Sequence, residues 1–321
     1  MDWPNHRKAW EEWRRALAGV RMHHGWLLAG KSGLGKREFA VAAARELVAE
    51  AGLSQPQGGH PDIIVLEHLP KDDKEEKKRD EGKPYQTKRN ITVGQIREMQ
   101  RRLTTRPTLG SRRAIIIDPA DDMEPGASNA LLKSLEEPPE GTFFLLVTHR
   151  PSRLLPTIRS RCRVLRFPLI EDEQLVRMLD EAGCAADPSS REAAIQAAEG
   201  SFGAARRFVE YDLGSLAKLV ERLLSDGDTS FAVRGDLAKA IGPRADRERI
   251  QAVLELAQAI VARKARTCAD SGGRARLIEA HGELVALASQ APTYNFDTGL
   301  LAMEIGTLLS SASAASEHAN G

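Results

Sequence analysis

A glycine-rich segment at residues 30–36, with the sequence GKSGLGK, has the composition of a loop that binds phosphate. It follows an apolar run at residues 26–29 and precedes a helical pattern, which is the context that such a loop requires. Glycines allow successive backbone N–H groups to face an anion, and a lysine at the end of the loop reaches its terminal phosphates. The candidate phosphate-binding residues are Gly30, Gly33, Gly35 and Lys36.

The position after Lys36 departs from the pattern that magnesium requires. A complete loop places Ser or Thr there, because the hydroxyl group ligates the ion. This chain has Arg37 instead, and the permanent positive charge of an arginine repels a cation. We therefore expect weak or absent binding of a magnesium-nucleotide complex, and no metal site at this loop.

Residues 114–118, AIIID, form an apolar strand pattern that ends in a carboxylate, as in a Walker B site. An active ATPase usually places Glu next, where it activates the attacking water. Here Pro119 follows Asp118, and it supplies neither an acid–base side chain nor a backbone donor. We interpret Asp118 either as a degenerate Walker B residue or as a strand-end carboxylate without a metal. Asp121 and Asp122 are close in sequence, but we expect them to lie elsewhere.

Strand-like and helical patterns alternate through the first half of the chain, and these elements must position the groups described above. Such alternation predicts an α/β domain with a mostly parallel sheet and helices on both faces. Thr92 is a plausible helix N-cap. Strands are predicted at residues 26–29, 63–66, 114–117, 143–148 and 164–167, and helices at residues 38–50, 92–104 and 126–137.

After residue 168 we find only helix-period patterns, interrupted by Gly and Pro. A short helical segment precedes a longer one with long Ala- and Leu-rich runs. The last dozen residues are small and polar, which predicts disorder. We therefore divide the chain into an α/β domain at residues 1–168, a helical lid at 169–212, an all-α C-terminal domain at 213–309 and a disordered tail at 310–321.

Residues 71–90 are almost wholly charged or polar, with both signs mixed and no apolar periodicity. This composition favours a solvated surface loop inserted between two sheet elements. The alternative is a lysine-rich arm that touches DNA phosphate, since positive charges slightly outnumber negative ones in this segment.

Composition limits the classes of protein that remain. The formal net charge of +1 and the 5% aromatic content argue against a stand-alone nucleic-acid-binding protein. No apolar stretch approaches the ~20 residues of a membrane span, and the charged, Trp-rich N-terminus is not a signal peptide. We expect a cytoplasmic protein without a membrane partner.

The spacing of the cysteine and histidine residues predicts no disulfide, metal site or nucleophile. Cys162, Cys184 and Cys268 are widely separated, so they form neither a disulfide framework nor a set of metal ligands. Cys162 is expected to be a small packing residue rather than a nucleophile. The pair His23 and His24 is expected to pack and hydrogen-bond ahead of the first strand rather than to bind a metal.

Several segments resemble the clamp-loader branch of the AAA+ family. They are residues 23–28 (HHGWLL), 128–139 (SNALLKSLEEPP), Thr148 and 154–162 (LLPTIRSRC). Their joint order is distinctive, and the resemblance is strong over residues 20–168. It implies an AAA+ P-loop domain followed by a lid and a C-terminal helical collar through which subunits assemble.

Within that branch the chain is similar to the delta-prime family rather than to the tau/gamma motor family. The motor family keeps the Ser or Thr and the Glu that Arg37 and Pro119 replace here. It also carries a nucleotide-sensing arginine at about the place of Gly203, although Arg206 lies near enough to blur that alignment. Many delta-prime proteins carry a four-cysteine zinc module, but residues 51–59 contain no cysteine, so no zinc is expected.

The resemblance assigns the most specific role to Arg161. In the family, the arginine of the Ser-Arg-Cys motif is presented to ATP bound by a neighbouring subunit, with Ser160 and Cys162 shaping the turn. A guanidinium suits this role because it is always charged and offers a planar fork of donors. Arg159 is the nearby alternative, and a surface ion pair is the alternative role for Arg161.

The resemblance also implies partners and a process. The chain would belong to the bacterial DNA polymerase III holoenzyme, with the tau/gamma and delta subunits of the clamp loader, the sliding clamp and primer-template DNA as partners. We expect no ATPase activity of its own and no required cofactor, with at most weak nucleotide binding without magnesium. The alternative function is that of an active AAA+ clamp-loader motor subunit.

Overall fold

The computed structural model describes residues 2–50, 52–53, 55–56, 58–184, 188–243, 245–290 and 297–313. The chain divides between residues 169 and 170 into two compact units, and each is described by itself. The first unit is α/β and the second is helical. The predicted fold class, an AAA+ α/β domain followed by an all-α part, is confirmed.

Five parallel strands form the sheet of the first unit, in the order β2-β3-β4-β1-β5. All five were predicted to within one residue at each end. The two strands that lead to the candidate site, β1 and β3, are buried along their whole length, as expected for a sheet covered on both faces. The strands are β1 (Gly25–Ala29), β2 (Ile63–Leu66), β3 (Arg113–Ile117), β4 (Thr142–Thr148) and β5 (Arg163–Arg166).

Helices cover both faces of this sheet. Leu27 and Phe144 belong to an apolar cluster that also contains Met99 and Leu131 of α4 and α5. Trp26, which points to the other face, packs against Trp13 of α1. The helices of this unit are α1 (Arg7–Leu17), α2 (Lys36–Val48), α3 (Asp73–Asp80), α4 (Val93–Arg102), α5 (Pro125–Glu136) and α6 (Pro156–Arg159).

The predicted helices correspond to α2, α4 and α5, with ends that differ by one or two residues. Thr92 is the N-cap of α4, as predicted. Its hydroxyl oxygen accepts a hydrogen bond from the backbone of Gln95, and the Gln95 side chain accepts one from the backbone of Thr92. This reciprocal arrangement satisfies two backbone donors that would otherwise be unpaired at the helix start.

Helix α1 was not predicted, because its charged face masks its apolar stripe in the sequence. Trp13 is fully buried, with its ring 5.3 Å from that of Trp26 and 6.4 Å from that of Phe39. The partly buried Trp10 packs on the same phenyl ring at 4.3 Å. Trp13 is therefore a core residue of the α/β unit.

The prediction of an unstructured loop at residues 71–90 was wrong in part, because α3 lies within it. Asp72 caps this helix by accepting from the backbone of Glu75. Glu75 is buried, and its carboxylate accepts from Lys78 at 2.7 Å and from the backbone of Gln86 at 2.7 Å. Local capping and one buried carboxylate organise this segment without apolar periodicity, which is why the sequence pattern did not reveal it.

The second unit contains eight helices in its described residues, and no strand. One apolar cluster runs through it and includes Phe208, Val220, Leu254 and Ile305. Arg206, considered above for nucleotide sensing, pairs with Glu210 of its own helix at 3.2 Å. The helices are α7 (Asp172–Glu181), α8 (Pro188–Ala198), α9 (Phe202–Glu210), α10 (Gly214–Asp226), α11 (Ala232–Ile241), α12 (Arg247–Thr267), α13 (Ser271–Gln290) and α14 (Thr298–Ser311).

The predicted lid (169–212) and C-terminal domain (213–309) both lie in the second unit. They share its apolar cluster, and their separation into two domains stays a prediction. Helix α14 continues to Ser311, and Ser313 is buried, so the prediction of disorder was wrong for residues 310–313. The rest of the predicted tail, residues 314–321, lies outside the described residues.

We expect Trp13→Ala to lower the free energy of unfolding by about 3–5 kcal/mol, since it removes a fully buried indole from the core. Urea denaturation of the two proteins measures the difference. Glu11→Ala changes an exposed side chain on the same helix and should stay within about 0.5 kcal/mol of the wild type. A Trp13→Ala protein as stable as that control would contradict the core assignment.

Candidate nucleotide site and arginine-bearing turn

The predicted phosphate loop lies between β1 and α2, at the carboxyl edge of the sheet. Gly33 and Gly35 both have φ in the left-handed region, at 76° and 74°, which glycine adopts without strain. A side chain at Gly35 would also be blocked, because a Cβ there would lie 2.3 Å from the ring of Trp3. The N-terminal segment holds the loop in place. His6 Nε2–H donates to the Leu34 carbonyl at 2.8 Å.

Lys36 is turned inward on this loop. Only 3% of the residue is exposed, and its ammonium donates to the carbonyl oxygens of Gly30 at 2.8 Å and Lys31 at 2.6 Å. Burial lowers the pKa of Lys36 to about 8, although the charges of Asp118 and Asp121 oppose the shift. The side chain is therefore still mostly cationic at neutral pH, as binding of an anion requires.

Arg37 links the first turn of α2 to two carboxylates at the ends of neighbouring strands. Its Nη1 lies 3.2 Å from Asp118 Oδ2, and its Nη2 lies 2.5 Å from Glu67 Oε2. Burial alone would lower the pKa of Arg37, but the hydrogen bond and charge of Glu67, with those of Asp118, raise it overall. Sequence reasoning missed Glu67, which follows β2 at the same edge of the sheet as Asp118.

These residues do not fit a magnesium ion. The position of the ligating hydroxyl is occupied by Arg37, and the carboxylate that would hold the ion is already paired with that guanidinium. Burial raises the pKa of Asp118, although Arg37 and Lys36 pull it down. A further cation would have to displace Arg37 from Asp118. In the part of the chain that the structure describes, no group of three His, Cys, Asp or Glu side chains could hold a metal ion.

Asp121 lies closer to the loop than we predicted, because a 3₁₀ turn at Ala120–Asp122 returns the chain to the edge of the sheet. Its carboxylate accepts from the Thr148 hydroxyl, from the backbone N–H of His149 at 2.5 Å and from that of Arg150 at 3.1 Å. These bonds fix the end of β4 beside the loop. The expectation that Asp121 lies elsewhere was therefore wrong. Its oxygens nevertheless already accept hydrogen bonds from Thr148, His149 and Arg150.

His149 is a half-buried imidazole next to this charged group. Burial lowers its pKa to about 4, and the positive charge of Lys36 adds to the shift, while Asp121 and Asp122 oppose it. Its Nδ1 atom has no hydrogen-bond partner within the described residues. The ring is therefore neutral at physiological pH.

Three of the segments that carry the family resemblance meet at the start of β1, at the opposite edge of the sheet from the loop. His24 Nε2–H donates to the carbonyl oxygen of Leu135 at 2.9 Å, at the end of α5. Gly25 starts β1 directly against the Ser-Arg-Cys turn. A Cβ at Gly25 would lie 2.8 Å from the carbonyl oxygen of Arg161 and 3.2 Å from Cys162 Sγ. Glycine at this position therefore allows the turn to lie on the strand.

Arg161 itself is partly exposed, with 34% of its side chain accessible. Its Nη2 lies 2.7 Å from Glu136 Oε1, and its Nη1 donates to the carbonyl oxygen of Thr157 at 2.9 Å. Arg159, the nearby alternative, is exposed, and its side chain makes no hydrogen bond or ion pair with the described residues. Both arginines lie at the end of α6, but only Arg161 has its guanidinium held in one orientation.

The two flanking residues of the motif have structural positions. Ser160 Oγ donates to the carbonyl oxygen of Thr157 at 3.1 Å and so closes the turn. Burial raises the pKa of the Cys162 thiol to about 12, which leaves it protonated and unreactive at neutral pH. His23 and His24 stack on each other with ring centroids 4.6 Å apart.

Comparison with known proteins identifies relatives of this chain. A family described as DNA polymerase III, delta subunit, matches residues 5–171. The DNA polymerase III subunit delta-prime of Pseudomonas aeruginosa is 37% identical over 174 residues, which are 49% of this chain and 48% of that protein. The delta-prime subunit of Escherichia coli K12 is 31% identical over 181 residues, or 51% and 48% of the two chains. The tau subunit of Bacillus subtilis is 26% identical over 264 residues, or 76% and 44%.

The sheet order, the phosphate loop after β1 and the acidic end of β3 define the first unit as an AAA+ P-loop domain with an arginine in the magnesium position. The family match covers more than half of the chain. The chain therefore belongs to the family of delta-prime clamp-loader subunits of DNA polymerase III. It spans about half the length of the curated relatives it matches.

A search of the described helices for one with the length and hydropathy of a membrane span found none.

The burial of His149 predicts a loss of stability in acid. Its pKa is about 4 in the folded protein and 6.5 for an ordinary histidine, so the unfolded chain binds the extra proton first. The stability that depends on a neutral His149 is complete above pH 6.5 and is lost as the pH falls toward 4. We expect this loss to be on the order of 3 kcal/mol.

Urea denaturation of the wild type and of His149→Gln between pH 8 and pH 4.5 measures this effect. The variant should lose less stability than the wild type over this range. The pKa values of His6 and His24 are also lowered by burial. Both residues are present in both proteins, so they contribute equally to the loss of stability in each. Parallel pH profiles for the two proteins would contradict a half-buried, neutral His149.

Proposed function

We propose that this chain is a clamp-loader subunit of the DNA polymerase III holoenzyme that does not hydrolyse ATP and supplies Arg161 to the ATP site of a neighbouring subunit. Its partners would be the tau/gamma and delta subunits, the sliding clamp and primer-template DNA, in the cytoplasm. Family membership supports the assignment of this chain to that complex. The proposal that the site is inactive is based mainly on the ion pair between Arg37 and Asp118.

Hydrolysis of ATP needs a cation to neutralise the phosphates and a group that orients the attacking water. Both requirements fail at the same place in this chain. The guanidinium of Arg37 already pairs with Asp118, and Pro119 has no side-chain acceptor for a proton. Asp121 also lies near the loop, but its oxygens accept three hydrogen bonds, from the Thr148 hydroxyl and the backbone N–H groups of His149 and Arg150.

The loop retains features that favour an anion. Its glycines adopt left-handed conformations, and Lys36 is mostly charged at neutral pH. Weak binding of a nucleotide without magnesium is therefore part of the proposal, whereas a required nucleotide, magnesium or zinc is not.

Arg161 suits a role across an interface. Transfer of a phosphoryl group builds negative charge on the oxygens around the γ-phosphorus, and a guanidinium placed there is worth roughly 10³–10⁵ in rate in GTPases. The side chain is partly exposed at the end of a short helix, and its backbone is fixed by Gly25. In this proposal the second unit contains the lid and the collar, and the collar supplies the lasting contact with other subunits.

The purified protein should show no release of phosphate from ATP above background in the presence of magnesium, because it lacks both a metal ligand and a water-orienting acid. The single variants Arg37→Thr and Pro119→Glu should also show none, since each restores only one of the two. Turnover by the wild type that Lys36→Ala abolishes would contradict the proposal and support the alternative, an active motor subunit.

Arg161→Ala should leave folding and assembly of the complex intact, because the side chain contributes little to its own domain core. In a loader reconstituted with the other subunits of the same organism, ATP hydrolysis stimulated by clamp and primed DNA should fall at least tenfold at the site that faces this subunit. Arg161→Lys should restore little, since a point charge does not reproduce the planar donor fork.

Two matched variants control this experiment. Arg159→Ala removes a neighbouring exposed arginine and should be nearly silent, as should Lys36→Ala in the chain's own phosphate loop. Equal losses from Lys36→Ala and Arg161→Ala would mean that the subunit acts through its own nucleotide site. Full activity of Arg161→Ala would remove the support for a role in trans.

A further inference from the structure

The guanidinium of Arg161 has a fixed partner within its own chain. Glu136, the last residue of α5, places Oε1 2.7 Å from Arg161 Nη2. About half of the Glu136 side chain and a third of the Arg161 side chain are exposed. The two residues belong to separate motifs of the sequence, SNALLKSLEEPP and LLPTIRSRC.

The backbone and the side chain of Arg161 are held by different contacts. Gly25 allows the carbonyl oxygen of Arg161 to lie against β1, which fixes where the side chain begins. The Thr157 carbonyl accepts a hydrogen bond from Nη1, and Glu136 forms an ion pair with Nη2. Without Glu136, the guanidinium would keep only the contacts of Nη1 to the Thr157 carbonyl and, at 3.5 Å, to Ser160 Oγ. Both partners lie within its own turn, so Nη2 would be free to rotate away.

These contacts occupy one edge of the guanidinium. An arginine has five N–H donors. Within the described residues, the Nε–H makes no hydrogen bond, and Nη2 has only the ion pair with Glu136. A γ-phosphate could therefore be bound by the free donors while Glu136 keeps its contact.

We propose that Glu136 is a positioning residue that holds the Arg161 guanidinium ready for the neighbouring subunit's ATP. The inference rests on the proposed role of Arg161. An exposed ion pair adds little to the stability of the fold. The contact with Glu136 therefore acts by limiting rotation of the Arg161 side chain. The rotational freedom of an arginine side chain sets an upper bound of about thirtyfold on the rate that such positioning supplies.

The test uses the reconstituted loader with Glu136→Ala and Glu136→Gln. Glu136→Ala should lower kcat for clamp- and DNA-stimulated ATP hydrolysis by about three- to tenfold, with an unchanged KM for ATP, because it disturbs transition-state contacts alone. Glu136→Gln keeps an acceptor oxygen at the same reach and should retain most of the wild-type rate. Glu137→Gln changes the adjacent exposed carboxylate and should be silent.

A double-variant comparison separates positioning from a structural effect. Glu136→Ala should have no further effect when Arg161 is already Ala, since residues that act as a unit are not additive. The melting temperature and complex assembly of each variant should match the wild type. A faster Glu136→Ala loader would overturn the inference, because the carboxylate would then be restraining the arginine. An equal loss from Glu136→Ala in both backgrounds would also overturn it.

The two proposals fail in different ways. A silent Arg161→Ala would remove the proposed function, whatever Glu136 does. A disabled Arg161→Ala beside a fully active Glu136→Ala would remove only the positioning role.

Discussion

A guanidinium in the place of a metal ion is the constraint around which this nucleotide site is arranged. Arg37 lies one residue beyond the phosphate-loop lysine, and its two nitrogens reach Glu67 and Asp118 at the ends of adjacent strands. Two carboxylates at this edge would repel each other if no cation lay between them. Because the cation is covalently part of the chain, the charges balance without magnesium. The fold is thereby kept, and the proposed loss of ATPase chemistry rests on this pairing.

The parallel sheet makes this substitution possible. Strands β1, β3 and β4 lie side by side and end at the same edge, so the loop, Asp118 and Thr148 are neighbours although they are far apart in sequence. Asp121 then ties the end of β4 to the 3₁₀ turn after β3. The edge that would bind nucleotide in an active relative is here a closed set of ion pairs and hydrogen bonds.

The arginine-bearing turn depends on a second meeting of distant segments. His24 bonds to the end of α5, Gly25 allows the turn to lie on β1, and Glu136 reaches Arg161 from the last residue of α5. None of these contacts involves the phosphate loop. The arginine is therefore held at a defined place independently of the chain's own phosphate loop, which is the structural basis of the proposed role in trans.

The sequence alone determined the five strands, three of the helices and the departures at Arg37 and Pro119, because apolar periodicity and motif spacing are local properties. It did not reveal α1 and α3, whose helices rest on a buried tryptophan and on a capped, buried carboxylate rather than on a clear apolar pattern. Only the tertiary structure decided which charges meet. The partners of Arg37 and Arg161 lie on other elements, and their proximity follows from strand order and helix packing, which residue spacing does not encode.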